Sequence, residues 1–410
     1  HRDLHSFPTR RSSDLFEGPH QNWQKTMIKI LLLIDYSTEF SRKLLRGLMD
    51  YTKENGEWTF YRMPLYYKTL LGEIGIFDWA KEWKADAIIA QWEQGRFDIL
   101  KNLNIPVFLQ NYNEKNEYFS YINGDYISTG RLAARFFIQR GYKNFAFYGY
   151  KGFKWSLERA EGYRSEVEKI RGNYYYYDSD NLNEIQWSRA HIELEEWLIS
   201  LPKPVALFAC DDNFAIQISE VCKMNHILIP QEISLLGVDN DELICNLSEP
   251  PISSIVLNIE KGGYEIGRQI DKIILNRRNE PFSISIDPLH IELRKSTEQF
   301  SIKDKNIIKV INYIENNFRN NYNIKLLTDL VPLSRRNLEI KFRQELGISI
   351  YQFLLNYRIE YFANLLLTTD REVYEITSES GFNNCKNASR YFKKVKGYTP
   401  LEFRKKYKKP

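Results

Sequence analysis

Between residue 27 and about residue 293, short fully apolar runs alternate with longer stretches in which apolar positions recur every three or four residues. The short runs Ile28–Ile34, Ala87–Ala90, Val107–Leu109, Phe145–Tyr148, Val205–Ala209 and Ile233–Val238 are predicted as strands. The amphipathic stretches Phe40–Tyr51, Ile127–Arg140, Leu157–Arg171, Trp187–Ser200, Phe214–Asn225 and Ile259–Asn276 are predicted as helices. Strands apolar on both faces, alternating with helices, imply parallel sheets covered on each side. About 265 residues is long for one open sheet, so the pattern predicts two βαβ lobes with a ligand cleft between them, at the carboxyl ends of the strands.

After Thr297 the strand pattern stops, and everything from Ile302 onward reads as helix with short polar breaks. EQFSIKDK, beginning at Glu298, reads as the linker. In NIKLLTDLVPLSRRNLEIKFRQELG, Leu326, Leu327 and Leu330 form a stripe that stops at Val331 and Pro332. Ser334 is placed to cap the next helix, whose buried face is Leu338 and Phe342. This is a helix-turn-helix pattern, and Arg335, Arg336, Asn337 and Lys341 are expected on the outer face, where they could reach phosphates and base edges. A long helix capped by Ser349 follows. The plan then repeats: a short helix through Val373 and Ile376, a turn at Gly381, and a helix with Tyr391 and Phe392 inside and Asn384, Lys386, Asn387 and Arg390 outside. Aromatics at helical spacing make the core, while Lys, Arg and Asn are left to meet DNA.

Charge sharpens that division. Residues 301–410 hold 21 Lys plus Arg against 11 Asp plus Glu, leaving 36 against 42 in the rest of the chain. A basic end on an acidic body points to a polyanionic partner. Cys210, Cys222, Cys245 and Cys385 have no disulfide or metal-ligand spacing, which fits a reducing compartment, the cytoplasm. No apolar run approaches the roughly 18 residues that a membrane-spanning helix requires. Residues 1–26 are polar and without period, and read as a non-native or disordered leader, with Met27 as the candidate start.

The last hundred residues resemble an AraC-type DNA-binding domain. The likeness rests on LSRRNLEIKF at Leu333, the long helix ending in LLLTT, EITSESGF at Glu375, and SRYFKKVKGYTPLEFR with Gly397, Pro400 and Arg404. Asn387 and Ala388 depart from it, standing where that family usually has an aromatic pair. The first part resembles the sugar-binding core of LacI-type regulators, through INGDYISTGRLAARFFIQRGYKNFAFYG at Ile122, WSLERAEGYRSEV at Trp155, ALFACDDNFAIQ at Ala206, LLGVDNDEL at Leu235 and ELRKST at Glu292. Together these imply an α/β bilobed periplasmic-binding-protein-like sensor of two parallel-sheet lobes, followed by an all-α double helix-turn-helix domain. The expected bounds are a sensor at 27–297, a linker at 298–303 and a DNA-binding domain at 304–410. The implied function is a sugar-responsive transcriptional activator. Its expected partners are a pentose, D-xylose, and double-stranded DNA with a bipartite site, with the chain acting as a homodimer and RNA polymerase as a further partner. A different sugar or an oligosaccharide is the alternative effector.

Sugar hydroxyls suit groups that make several hydrogen bonds at once, with an aromatic ring against the apolar face of the sugar. By carry-over from the LacI pattern, Arg159 matches the ligand-gripping arginine, Asp239 the aspartate after the Gly-x dipeptide, and Asp211 the usual asparagine of an Asn-Asp pair. Asp125 and Asn240 are further candidates; Trp155 is the stacking candidate, with Tyr36 and Phe40 behind it. Asp211–Asp212 beside Asp239–Asp241 also permits an acid/base or metal reading. Against an enzyme, there is no Gly-rich phosphate loop, no GxSxG elbow and no His near those carboxylates, so neither catalysis nor a cofactor is expected.

Overall fold

The structure is a computed structural model, and it describes residues 27–63, 66–92, 97–110, 117–179, 187–276 and 281–408. The segment read as a leader, 1–26, lies outside the described residues. The chain begins with β1 (Ile28–Leu33), α1 (Glu39–Asn55), β2 (Trp58–Arg62), α2 (Tyr66–Trp83), β3 (Ala87–Gln91), α3 (Phe97–Lys101), β4 (Val107–Gln110) and β5 (Ser120–Gly124). It crosses to a second lobe made of α4 (Tyr126–Ile138), β6 (Asn144–Tyr150), α5 (Lys154–Lys169), β7 (Asn173–Ser179), α6 (Trp187–Ser200), β8 (Val205–Ala209), α7 (Asp212–Met224), β9 (Ile233–Val238), α8 (Glu242–Leu247) and β10 (Ser253–Leu257). It returns for α9 (Ile259–Asn276) and β11 (Ser283–Ile286), then crosses a third time into β12 (Pro288–Glu292).

Each lobe is one six-stranded sheet, ordered β11-β5-β4-β3-β1-β2 in the first and β12-β10-β9-β8-β6-β7 in the second. All described pairings are parallel except β10 with β12, so the wholly parallel expectation fails at that one edge. The last strand enters by a direct crossing rather than through a helix, and it can therefore run the other way. β3 and β8 are buried along their whole length, as fully apolar strands require.

Close helix contacts position the later site. On α4, a Cβ at Gly130 would lie 2.0 Å from the Arg159 carbonyl oxygen; on α5, one at Gly162 would lie 2.1 Å from the Ile127 carbonyl oxygen. The two helices touch backbone to backbone through these glycines, which fixes where α5 carries Arg159. The first lobe repeats the device with Gly47 of α1 against Glu260 of α9 and Gly263 against Leu44.

The remainder is helical: α10 (Lys305–Asn317), α11 (Ile324–Asp329), α12 (Arg335–Leu346), α13 (Ile350–Thr368), α14 (Val373–Glu379), α15 (Cys385–Lys396) and α16 (Pro400–Tyr407). Residues 298–304 have no regular structure but are not loose, because Phe300 and Ile302 are buried in the core of the helical part. In α11, Leu327 is buried and Leu330 partly so, whereas Leu326 is exposed, which narrows the expected stripe. No helix among the described residues is long and apolar enough to cross a membrane.

Candidate ligand cleft and nucleic-acid interface

Helix α5 and the ends of β8 and β9 in the second lobe deliver three expected side chains to one place. Arg159, in the second turn of α5, is 3% exposed, and its Nη1 donates to the Cys210 carbonyl at the end of β8. Its Nη2 lies 3.5 Å from Asp239 Oδ1, just past β9, and its Nε has no partner. The guanidinium stands 5.3 Å from the Trp155 ring and 5.4 Å from the Tyr126 ring, a cationic plane between two aromatic faces. Asp211 follows β8 and caps α7, accepting the Phe214 N–H through Oδ1 at 2.9 Å.

Desolvation dominates the electrostatics. Burial, reinforced by the neighbouring Asp239 charge, pushes the Asp211 carboxyl up to about 6 although Arg159 opposes the shift. Burial also raises Asp239, against the pull of Arg159 and Lys43, and raises Asp212 well above the usual carboxylate range. Asp239 and Asn240 hold left-handed backbone conformations, φ +95° and +49°, which cost energy at non-glycine residues and mark this turn as constrained.

Two expected ligand residues have other tasks. Asp125 caps α4 by accepting the Ser128 N–H at 3.0 Å. Asn240 accepts from Arg294 Nη2 at 2.8 Å and donates its N–H to Ser254 Oγ at 3.0 Å. Of the aromatics proposed behind Trp155, Phe40 is buried in the core, and Tyr36 belongs to the opposite lobe.

That opposite lobe supplies Gln91 and Gln110, which the sequence reading passed over, and gives Tyr36, expected only as an aromatic behind Trp155, a polar part through its hydroxyl. Gln91 and Gln110 are the last residues of β3 and β4; both are buried, and Gln110 Oε1 has no partner. Gln91 Oε1 accepts the Asp35 N–H at 2.9 Å. The Tyr36 hydroxyl, on the loop after β1, is likewise buried and unpartnered, and burial pushes it up to about 12. The signal was a single polar residue closing an apolar run, AIIAQ and VFLQ, at the end where ligands bind in such sheets. Buried polar atoms of Tyr36, Gln110, Arg159 and Asp239 that make no hydrogen bond thus lie at the carboxyl ends of the two sheets, Asp239 Oδ1 having only the longer ion-pair contact with Arg159. An unpaired buried donor or acceptor is costly, and hydroxyl groups could satisfy all four. Among the described residues no group of three or more His, Cys, Asp or Glu could hold a metal ion.

The lobes touch beside these atoms. Arg42 of α1 forms an ion pair with Asp241 at 2.5 Å, and Lys43 donates to the Asp239 and Asn240 carbonyls at 2.5 and 2.9 Å.

In the helical part, α12 and α15 are the same device repeated 50 residues apart. The N-caps are Ser334 and Asn384, the buried positions Leu338 and Ala388 then Phe342 and Phe392, and the left-handed C-caps Gly347 and Gly397. Ala388 fills its place without an aromatic, so the departure noted in the sequence leaves the second helix packed. Arg335, Arg336 and Asn337 are exposed on α12, and Lys386, Asn387 and Arg390 on α15. Lys341 is not available in the same way, because its Nζ pairs with Asp304 at 2.6 Å, and Asn384 Oδ1 accepts the Asn387 N–H at 3.0 Å as a cap. Arg358 of α13 is buried and bonds the Phe318 and Asn320 carbonyls at 2.7 and 2.6 Å, which ties the connecting helix to the end of α10.

The fold and its two sites define a class: a transcription regulator in which a periplasmic-binding-protein-like sensor precedes an AraC-type double helix-turn-helix. A family model described as a periplasmic binding protein-like domain matches residues 134–297, and one described as a helix-turn-helix domain matches 327–406. Along nearly its whole length the chain is similar to the xylose operon regulatory proteins. It is 27% identical to the one from Haemophilus influenzae over 92% of this chain and 98% of that protein, and 27% identical to the one from Escherichia coli K12 over 92% and 96%. The structure of the xylose-binding transcription activator xylR is similar, with TM-score 0.57 and 25% identity over 93% of this chain and 98% of that one.

Proposed function

We propose that this regulator binds D-xylose between its lobes and, in response, activates genes from a bipartite DNA site. Arg159, Asp211 and Asp239 are the polar grip of the second lobe, Tyr36 and Gln110 that of the first, and Trp155 the stacking face. Arg335, Arg336 and Asn337 of α12 and Lys386, Asn387 and Arg390 of α15 contact successive major-groove segments. The chain works as a homodimer in the cytoplasm, where RNA polymerase is its further partner. Chemical turnover is no part of this reading, because the homologues are regulators.

The observation that carries the reading is the set of unpartnered buried polar atoms at the carboxyl ends of both sheets. Isothermal titration with D-xylose, L-arabinose, D-ribose and D-glucose tests it. Selective binding of D-xylose is expected; binding of another sugar in its place would move the effector while keeping the cleft, and heat from none of them would refute a monosaccharide sensor.

A further inference from the structure

Two of the three crossings between the lobes meet side by side. Asn258 is the single residue between β10 and α9, Asp287 the single residue between β11 and β12, and the Asn258 N–H donates to the Asp287 carbonyl at 3.0 Å. These are the backbone positions about which the two sheets would turn. The Asp287 carboxylate faces the DNA-binding part, where Lys406 Nζ of α16 lies 2.8 Å from Oδ2.

Lys406 is itself held. Its ammonium donates to the Tyr398 and Tyr407 hydroxyls, both at 2.9 Å, and stands 4.7 Å from each ring. Both tyrosines pack on the core that carries α15. The three donors of the ammonium are thereby divided between the second helix-turn-helix and the pivot. A second tie runs the other way: Lys261, in the first turn of α9, donates to the Lys405 and Lys408 carbonyls at 2.8 and 3.2 Å, where the end of α16 leaves acceptors unsatisfied.

The first half of the DNA-binding part is anchored elsewhere. The Ser301 N–H donates to the Arg140 carbonyl at 2.9 Å, just past α4 in the second lobe, and the Arg140 guanidinium covers the Phe300 ring at 4.6 Å. The helical part therefore bridges the molecule, with one half fixed to the second lobe and the other to the pivot and to α9 of the first. A turn of one lobe against the other cannot leave both anchorages unchanged.

We propose that α16 is the transmission element of this regulator, with Asp287, Lys406 and Lys261 as positioning residues that convert lobe movement into reorientation of α15. The proposal rests on the cleft being a sugar site, and its test separates the two ideas. In the full chain, Asp287→Asn and Lys261→Met are compared with wild type for D-xylose affinity by calorimetry. Affinity for a duplex selected by the wild-type protein from a random pool is measured with and without D-xylose. Sugar affinity is expected to stay within threefold. The sugar-dependent change in DNA affinity, of the order of 5- to 150-fold in allosteric proteins, is expected to fall at least fivefold in each variant and to return in Asp287→Lys combined with Lys406→Asp. An unchanged ratio in both single variants overturns the proposal.

Should wild type not bind D-xylose, the sugar assignment fails but the device is still read without ligand. Amides of residues 401–408 are then expected to exchange hydrogen about tenfold faster in Asp287→Asn than in wild type. Equal exchange would refute the anchorage itself.

Discussion

Arg42 of the first lobe reaches across the cleft to Asp241 of the second, 2.5 Å away, and the Asp241 N–H in turn donates to the buried Asp212 carboxylate at 2.7 Å. The contact ties the first lobe to the second. Because Asp241 also caps α8 through the Leu243 and Ile244 N–H groups, its removal would damage more than the latch. Arg42 is the cleaner probe.

With a third of its side chain exposed, Arg42 contributes to a pair worth about 1 kcal/mol at most. Arg42→Met is expected to favour the open arrangement and to weaken sugar binding about fivefold, close to that energy. Small-angle scattering of the ligand-free protein should show a larger radius of gyration. An unchanged radius and unchanged affinity would mean the ion pair has no part in closure.

Gly130 lies against the Arg159 carbonyl, so Gly130→Ala forces α4 and α5 apart. Overpacking of this kind costs about 1–3 kcal/mol. Because Arg159 rides on α5, sugar affinity should fall together with stability. Denaturant unfolding and calorimetry on the same variant check both; loss of stability with full affinity would show that α5 relaxes without moving the guanidinium.

The Asp211 carboxyl, pushed up to about 6 by burial and the Asp239 charge, gives a pH dependence. As pH falls from 7.5 through 6 the carboxylate gains a proton and loses an acceptor, so sugar affinity should weaken, and less so in Asp211→Asn. The stability effect has the opposite sign. Between its usual 3.8 and about 6 the folded protein binds this proton and the unfolded chain does not, so the destabilisation caused by the buried charge fades as pH falls through that window. The stability difference between Asp211→Asn and wild type should therefore shrink from pH 7.5 to pH 5. A difference independent of pH would place the titration elsewhere.

On α12, Arg335 and Lys341 should behave differently although both are cations on one helix. Arg335 is exposed, and Arg335→Ala is expected to cost ~1–3 kcal/mol at one base position if it reads a guanine edge. Lys341→Ala removes the partner of Asp304, the N-cap of α10, and should lower stability slightly without altering base preference. Competition binding on a series of single-base variants of the site distinguishes them; loss of specificity in Lys341→Ala would show that its ion pair opens on DNA.

Legibility in the sequence followed burial. β1, β3, β4, β6, β8 and β9 lie inside the sheets, are apolar on both faces, and were readable as strands. The edge strands β2, β7, β11 and β12 were not, since one exposed side admits residues such as those of NYYYYDS, and SYING and SSIVL were hidden by their Ser and Asn. In the helical part, Leu338, Phe342 and Phe392 announced their helices because each occupies a fully buried position on an amphipathic face. Arg159, Asp211 and Asp239 were reached through resemblance, and Tyr36 was read only as an aromatic, whereas Gln91 and Gln110 would have needed an argument about where strands end. The task of Lys341 could not be read from its own helix, since the partner that occupies it lies 37 residues earlier in the chain.

The connecting helix α13 acts as a gauge. It runs 19 residues without Gly or Pro, about 28 Å at 1.5 Å per residue, and Arg358 clamps it to α10. The separation of the two DNA-reading helices is therefore built into a stiff part, while their faces can vary independently. On the proposed reading, substitutions on α12 or α15 change which bases are recognised, whereas two half-sites moved apart by a base pair would require the DNA to bend or twist to meet a spacing that α13 sets.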